Sequence, residues 1–262
     1  GNAGKIEIQA SQGVTVGGVL SSTVFDTGEG NSGGITIDTS TLTLENGGYI
    51  SADTYGKGNA GNIAIKASQG VTVGGLLTSD VFDTGEGNGG SITIDTSTLT
   101  LEKGGLISAS TTGKGDAGNI AIQATEGVNV RGWLYSDVFN DTGEGNGGSI
   151  TIDTSTLTLE NDGIINADTH GKGDAGNIAI QASQGVNVRG RLTSDVKDTA
   201  QGNSGGITID TANLTVENGG RITALTSGKG NAGNIAIKAS QGVNVRGRLT
   251  SGVFVTGEGN SG

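Results

Sequence analysis

The tetrad Gly-(Asn/Asp)-Ala-Gly begins at Gly1, Gly58, Gly115, Gly173 and Gly230. A sister tetrad, Gly-Asn-(Ser/Gly)-Gly, begins at Gly30, Gly87, Gly145, Gly202 and Gly259. The two alternate, dividing the chain into units of 28 to 30 residues. Units opened by the first tetrad are called A units here and the others B units. A period of this size marks an array of stacked supersecondary units. No linker or shift in composition interrupts it, so residues 1–262 read as one domain. The chain opens and closes inside the motif and reads as a piece of a longer repeat protein.

Each unit holds three short segments of period two. In the A unit from Gly58, Ile63, Ile65 and Ala67 alternate with Ala64 and Lys66. Val71 and Val73 flank Thr72, and Leu77, Ser79 and Val81 alternate with Thr78 and Asp80. The B unit from Gly87 repeats this with Ile92-Ile94, Leu99-Leu101 and Ile107-Ala109. Period two predicts strands with one buried face, and Gly- or Asn-rich turns separate them. No stretch carries a 3.6-residue period. The expected fold is all-β: a right-handed parallel β-helix with three strands per rung and about nine rungs. At roughly 4.8 Å per rung the rod is about 43 Å long.

Stacking brings equivalent residues together, and the charges fit this. One column reads Glu29, Lys57, Glu86, Lys114, Glu144, Lys172, Gln201, Lys229, Glu258. After the second strand Glu102, Arg131, Glu160, Arg189, Glu217 and Arg246 alternate, and after the first Asp38, Lys66 and Asp95 do. Like charges at rung spacing repel, so A and B units carry opposite signs. The second tetrad residue gives a column of Asn2, Asn31, Asn59, Asn88, Asp116, Asn146, Asp174, Asn203, Asn231 and Asn260. This reads as an amide ladder in which Asp116 and Asp174 are tolerated. They are not read as calcium ligands, because no acidic calcium-loop motif accompanies them.

Composition excludes several functions. There is no Cys, which removes disulfides, thiolate catalysis and Cys-ligated zinc, and the single His170 cannot form a multi-His metal site. A net charge of −11 argues against duplex nucleic acid. No run of about 18 apolar residues suggests a membrane helix. No cofactor is expected. Asp53, Asp80, Asp137, Asp168 and Asp195 recur with the repeat and read as a solvated face rather than a catalytic carboxylate pair. Threonine ranks such as Thr98-Leu99-Thr100 are broken by Gly13, Gly70, Asn129, Asn187 and Asn244, against an ice-binding face.

The third strand supplies the candidate binding or packing face. Its inward column is Leu20, Ile50, Leu77, Ile107, Leu134, Ile165, Leu192, Ile222 and Leu249. The preceding residues must point outward: Val19, Tyr49, Leu76, Leu106, Trp133, Ile164, then Arg191, Arg221 and Arg248. A neighbouring column contains Phe25, Tyr55, Phe82, Phe139, His170, Lys197 and Phe254, with Tyr135 beside it. An exposed aromatic strip of this kind marks an interaction surface. The other reading of the Phe column is that its turns fold back and bury it at the corner; Trp133 and Tyr49 are expected to be exposed. Asn140 lengthens its unit by one residue and predicts a bulge near Trp133 and Tyr135.

The phrases GNAGNIAIKASQGVTVGG, GGSITIDTSTLTLENGG and GGYISADTYGKGNAG resemble the repeat region of large filamentous-haemagglutinin-like exoproteins, which are abundant in cyanobacteria. The resemblance covers the whole chain. It implies a right-handed β-helical shaft, export by two-partner secretion and a role in adhesion or surface structure. The expected role is thus a non-catalytic extracellular or cell-surface shaft. Its partners would be itself, end to end or side by side, or surface glycans. The alternative is a carbohydrate-binding or carbohydrate-cleaving β-helix.

Overall fold

The computed structural model describes residues 1–82, 85–139, 144–197 and 200–254. The segment around Asn140 and the last unit from Gly259, with Glu258 and Asn260, lie outside the described residues. The fold is an all-β parallel solenoid of about eight turns, with no helix among the described residues. Every strand pairs in parallel with its equivalent one unit on: Ile63 lies beside Ile35 and Ile92, and Leu77 beside Ile50 and Ile107.

The strands form two sheets, one of ten strands and one of nine. The first two segments of most units join into one long strand, as in Ile63–Val73 and Ile92–Leu101. No turn separates them because A units hold two residues, Ser68 and Gln69, opposite one residue, Ser97, in the B unit. This register shift is a β-bulge, which bends a strand without ending it. Among the described residues only the first unit breaks there, into Ile6–Gln9 and Gly13–Val16. The short third strand, such as Leu76–Thr78, forms the second sheet. Single-residue bridges continue the stack at the corners, including Val24↔Thr54↔Val81↔Thr111 and Glu29↔Lys57↔Glu86↔Lys114.

The core is the set of inward positions expected from the alternation. Ile35, Ile63, Ile92, Leu77, Ile107 and Leu134 are all fully buried, and one cluster of such residues runs the length of the rod. Burying each Leu or Ile side chain is worth about 1.5–3 kcal/mol. The turn opening each unit requires glycine on two grounds. Gly58 has φ +139°, a value that L side chains rarely adopt. At Gly61 an added Cβ would overlap the Gly33 carbonyl of the preceding rung.

The alternating charges lie in register. Asp38 pairs with Lys66 and Lys66 with Asp95. Lys57–Glu86 (3.8 Å), Lys172–Glu144 (3.5 Å), Arg189–Glu160 (3.1 Å) and Lys238–Asp210 (3.3 Å) form ion pairs between neighbouring rungs. Exposed pairs contribute about 0–1 kcal/mol each, so their main effect is to penalise a one-rung slip.

The tetrad column differs in detail from an amide-on-amide ladder. Each side-chain oxygen accepts the backbone N–H of its counterpart one rung on: Asn31 Oδ1 from Asn59 (2.8 Å) and Asn59 Oδ1 from Asn88 (2.9 Å). Only an acceptor is needed, so aspartate fits. Asp116 Oδ1 accepts the Asn146 N–H (2.7 Å) and also its side-chain amide (3.1 Å). Asn59→Ala leaves one backbone donor without its partner and is expected to cost about 1 kcal/mol. Asn59→Asp should stay near the parent. Urea unfolding midpoints of the two variants check this.

Candidate functional site

The outward face of the third strand, followed through the corner beyond it, carries four residues per rung. In three of the rungs these are Tyr49, Ser51, Asp53, Tyr55; Leu76, Thr78, Asp80, Phe82; and Trp133, Tyr135, Asp137, Phe139, with Leu106, Ser108, Ser110 and Thr112 in the rung between the last two. The parallel register aligns them along the axis, with Tyr49 beside Leu76 and Trp133 beside Leu106 and Ile164. The candidate residues therefore fall on one side of the rod.

The outer column is exposed in part. Trp133 is 41% exposed and Val19, at the first rung, 77%. Tyr49, Leu76 and Leu106 are half-buried, and Arg191, Arg221 and Arg248 are exposed. These three arginines stack directly, Arg191 beside Arg221 and Arg221 beside Arg248. None of the ion pairs among the described residues involves them. This column lacks the sign alternation of the Glu29–Lys57–Glu86 and Asp38–Lys66–Asp95 columns.

The Phe column divides between the two outcomes its sequence left open. Phe25 and Phe139 are exposed, whereas Tyr55 and Phe82 are half-buried. Tyr55 and Phe82 stack at 4.9 Å across one rung. Trp133, Tyr135, Phe139 and His170 form a chain of ring contacts, with centroids 6.4, 5.5 and 5.9 Å apart. Aromatic pairs of this geometry add about 0.5–1.5 kcal/mol beyond area burial. His170, placed in this column by the sequence, is half-buried and stacks on Phe139.

The aspartate column is corrected by the structure. It is not a solvated face: Asp53, Asp80, Asp137, Asp168 and Asp195 are all buried, none more than 8% exposed. Their carboxylates complete the backbone ladder at the corner. Asp53 Oδ1 accepts the Asp80 N–H (2.8 Å), and Asp80 Oδ1 that of Ser110 (2.6 Å). Asp137 Oδ1 accepts the Asp168 N–H (2.9 Å), Asp168 Oδ1 that of Asp195 (2.6 Å), and Asp195 Oδ1 that of Leu225 (2.8 Å). Hydroxyls fill remaining positions: Ser51 and Thr78 donate to Asp53 Oδ2 at 2.6 and 2.8 Å. Asp53 and Asp80 lie between this hydroxyl rank and the rings of Tyr55 and Phe82; Asp137 lies between Tyr135 and Phe139, Asp168 between Asn166 and His170, and Asp195 between Thr193 and Lys197.

Burial sets the electrostatics. It raises the Asp80 carboxyl to about 8, with the charge of Asp53 adding to the shift. Burial and then Asp168 raise Asp137 well above the ordinary carboxylate range. Asp168 rises to about 6 because burial outweighs the opposing effect of Lys197. Asp53 also rises by burial, against hydrogen bonds that lower it. Lys197 is the one lysine in the cluster, bridging Asp168 Oδ2 (2.6 Å) and Asp195 Oδ2 (3.0 Å). Burial opposes its charge, but the two carboxylates prevail and raise its pKa. Asp137 Oδ2 is buried with no hydrogen-bond partner.

Two further features escaped the sequence reading. A buried serine in A units, such as Ser79 or Ser194, donates to the carbonyl of Gly61 or Gly176 eighteen residues back. The Ser/Ala alternation of that column (Ser79, Ala109, Ser136, Ala167) was its signal. A shallow groove of about 750 Å³ follows the bulges of the long strands, lined by Asp95, Gln123, Asp153, Gln181 and Asp210. Among the described residues no group of three or more His, Asp or Glu side chains is placed to hold a metal ion.

This geometry defines a class, the parallel β-solenoid repeat proteins. No family model, characterised protein or solved structure matches the chain.

Proposed function

We propose that the chain is a stretch of a non-catalytic shaft, secreted or held at a cell surface, of the haemagglutinin-like exoprotein type. In this reading the coil is right-handed and each bulge makes a third face of the rung. The carrying observation is the unbroken register of side chains, from the Ile6↔Ile35 pair to the Val216↔Val245 pair. Such a register makes a stiff rod that presents one row of side chains many times over. The presented row is the strip from Val19 and Tyr49 through Trp133 and Tyr135 to Arg191, Arg221 and Arg248. Repetition lets contacts that are weak singly add through multivalency. The partners are further copies of the chain or surface glycans; the net charge of −11 disfavours nucleic acid.

Electron microscopy of the purified protein, with solution mass measured against concentration, tests the reading. Thin rods that associate side by side or end to end support it; compact particles that stay monomeric at high concentration remove the self-association part. For the adhesive part, Trp133→Ala with Tyr135→Ala is expected to reduce retention on a glycan array or cell surface more than tenfold. A parent protein that binds neither, or a double variant that binds equally, would overturn it. The alternative reading, a carbohydrate-cleaving helix, requires release of reducing ends from a polysaccharide.

A further inference from the structure

Outside the aspartate and arginine columns, the charged ranks avoid placing like charges in adjacent rungs. Asp38, Lys66 and Asp95 alternate, as do Glu29, Lys57 and Glu86. The aspartate column does the opposite inside the protein. Asp53 and Asp80 occupy adjacent rungs, as do Asp137, Asp168 and Asp195, and Ser110 separates the two groups. Two ionised carboxylates at rung spacing, cut off from water, repel strongly. Protonation removes the charge and keeps the acceptor oxygen that holds the next N–H.

We propose that Asp53, Asp80 and Asp137 of the buried aspartate column form a proton-held latch, which joins successive rungs while these carboxyls are neutral and loosens the third-strand corner when they ionise. The proposal rests on the rung register and the burial of these side chains, and is independent of the adhesive reading.

The neighbouring groups set the direction. Among the described residues, the titratable side chains around Asp53 and Asp80 are Tyr49 and Tyr55, and no lysine or arginine shifts either carboxyl. Burial raises the Tyr49 hydroxyl to about 12, so it stays neutral throughout the relevant range. Around Asp137 and Asp168 stand Tyr135, His170, Arg191, Asp195 and Lys197. Tyr135 is also raised, by burial first, to about 12. Lys197 neutralises the Asp168–Asp195 end. The weak points are therefore Asp53–Asp80 and Asp137, where a proton must supply the compensation. The orphan Asp137 Oδ2 is the atom on which that proton would reside.

For Asp53, Asp80, Asp137 and Asp168 the folded-state pKa exceeds the unfolded one, so in the unfolded chain these groups ionise first as pH rises. The stabilisation is whole below the ordinary carboxyl range near 4. It declines as pH rises and is fully lost above about 6 for Asp168 and about 8 for Asp80. This is the reverse of ordinary acid denaturation, where paired carboxylates fail on acidification.

The test follows carboxyl ¹³C shifts of labelled aspartate, and the thermal midpoint, from pH 4.5 to 9.5. At least two carboxyls are expected to titrate above pH 6, and the midpoint is expected to fall between pH 5 and 9. Asp80→Asn with Asp137→Asn keeps the acceptor oxygens but cannot ionise; it should remove those titrations and flatten the midpoint profile. His170→Gln should leave the fall in place, separating it from the imidazole. Should the double variant not fold, Ser110→Asp, which closes the gap in the column, is expected to steepen the fall. Aspartates that all titrate below pH 5, or a double variant retaining the parent's full pH dependence, would overturn the latch. So would a profile that Ser110→Asp leaves unchanged.

Discussion

Gly118→Ala is expected to unfold the middle of the rod, at a cost of about 3 kcal/mol or more, beyond the usual overpacking range. Gly118 ends the tetrad that opens an A unit at the centre of the stack, where the backbone passes directly over the preceding rung. A methyl group there would overlap the Gly90 carbonyl oxygen and lie 2.7 Å from its carbon and 2.8 Å from the Gly89 carbonyl carbon. All of these are backbone atoms locked into the ladder, so no rotamer change gives room. Two other glycines grade the effect. Gly104 has φ +87° with open space around it, so Gly104→Ala pays only backbone strain, about 1 kcal/mol. Gly18 has neither a left-handed backbone nor a near neighbour, and Gly18→Ala should be neutral. In a solenoid each rung touches only its neighbours, so damage stays local. Hydrogen exchange should show Gly118→Ala lowering protection in the rungs from Gly87 to Gly145 before those at either end. Uniform loss along the rod, or a Gly118→Ala midpoint equal to that of Gly18→Ala, would contradict the close stacking.

Much of this was legible in the sequence, for a physical reason. A parallel stack with constant unit length maps every repeat onto the same environment, so columns of equivalent residues can be read as neighbours without coordinates. The aliphatic column from Ile50 to Ile222 and the Asp38–Lys66–Asp95 alternation follow from that alone. The joining of the first two segments was not legible, because a two-for-one bulge at Ser68-Gln69 and a turn have the same polar composition.

The burial of the aspartates was misread because alternation only says which side of a strand a residue takes. Whether that side is wet depends on the long side chains flanking it, here Tyr55, Phe82, Tyr135 and Phe139. A hint existed in the failed charge rule. Apart from the arginine stack, the exposed charged columns keep opposite signs adjacent, yet Asp53 and Asp80 repeat the same sign. That departure implies either a neutral carboxyl or a cation from outside the column, and among the described residues Lys197 is the one that meets the second condition. The arginine stack at Arg191, Arg221 and Arg248 departs in the same way but remains exposed. Water and counterions screen it, as they cannot screen the aspartates.

The adjacent pair Trp133 and Leu134 tests the facing of the third strand. Leu134 is fully buried, flanked in register by Ile107 and Ile165, while Trp133 beside it is partly exposed. Leu134→Ala opens a cavity between two rungs whose backbones are fixed by hydrogen bonds on both sides, so little relaxation can fill it. The expected loss is about 3–4 kcal/mol, within the range for buried leucine truncation. Trp133→Ala removes a larger side chain, but one resting on the rod rather than inside it. Its ring contact with Tyr135 adds about 1 kcal/mol to what its partly covered surface contributes, and its removal leaves no cavity between rungs. The smaller truncation should therefore destabilise more, an order that residue size alone would reverse. Urea unfolding of the two variants decides it. If Trp133→Ala proves the more damaging, the strand faces the other way: the aromatic strip is core, and the surface assigned to partners does not exist.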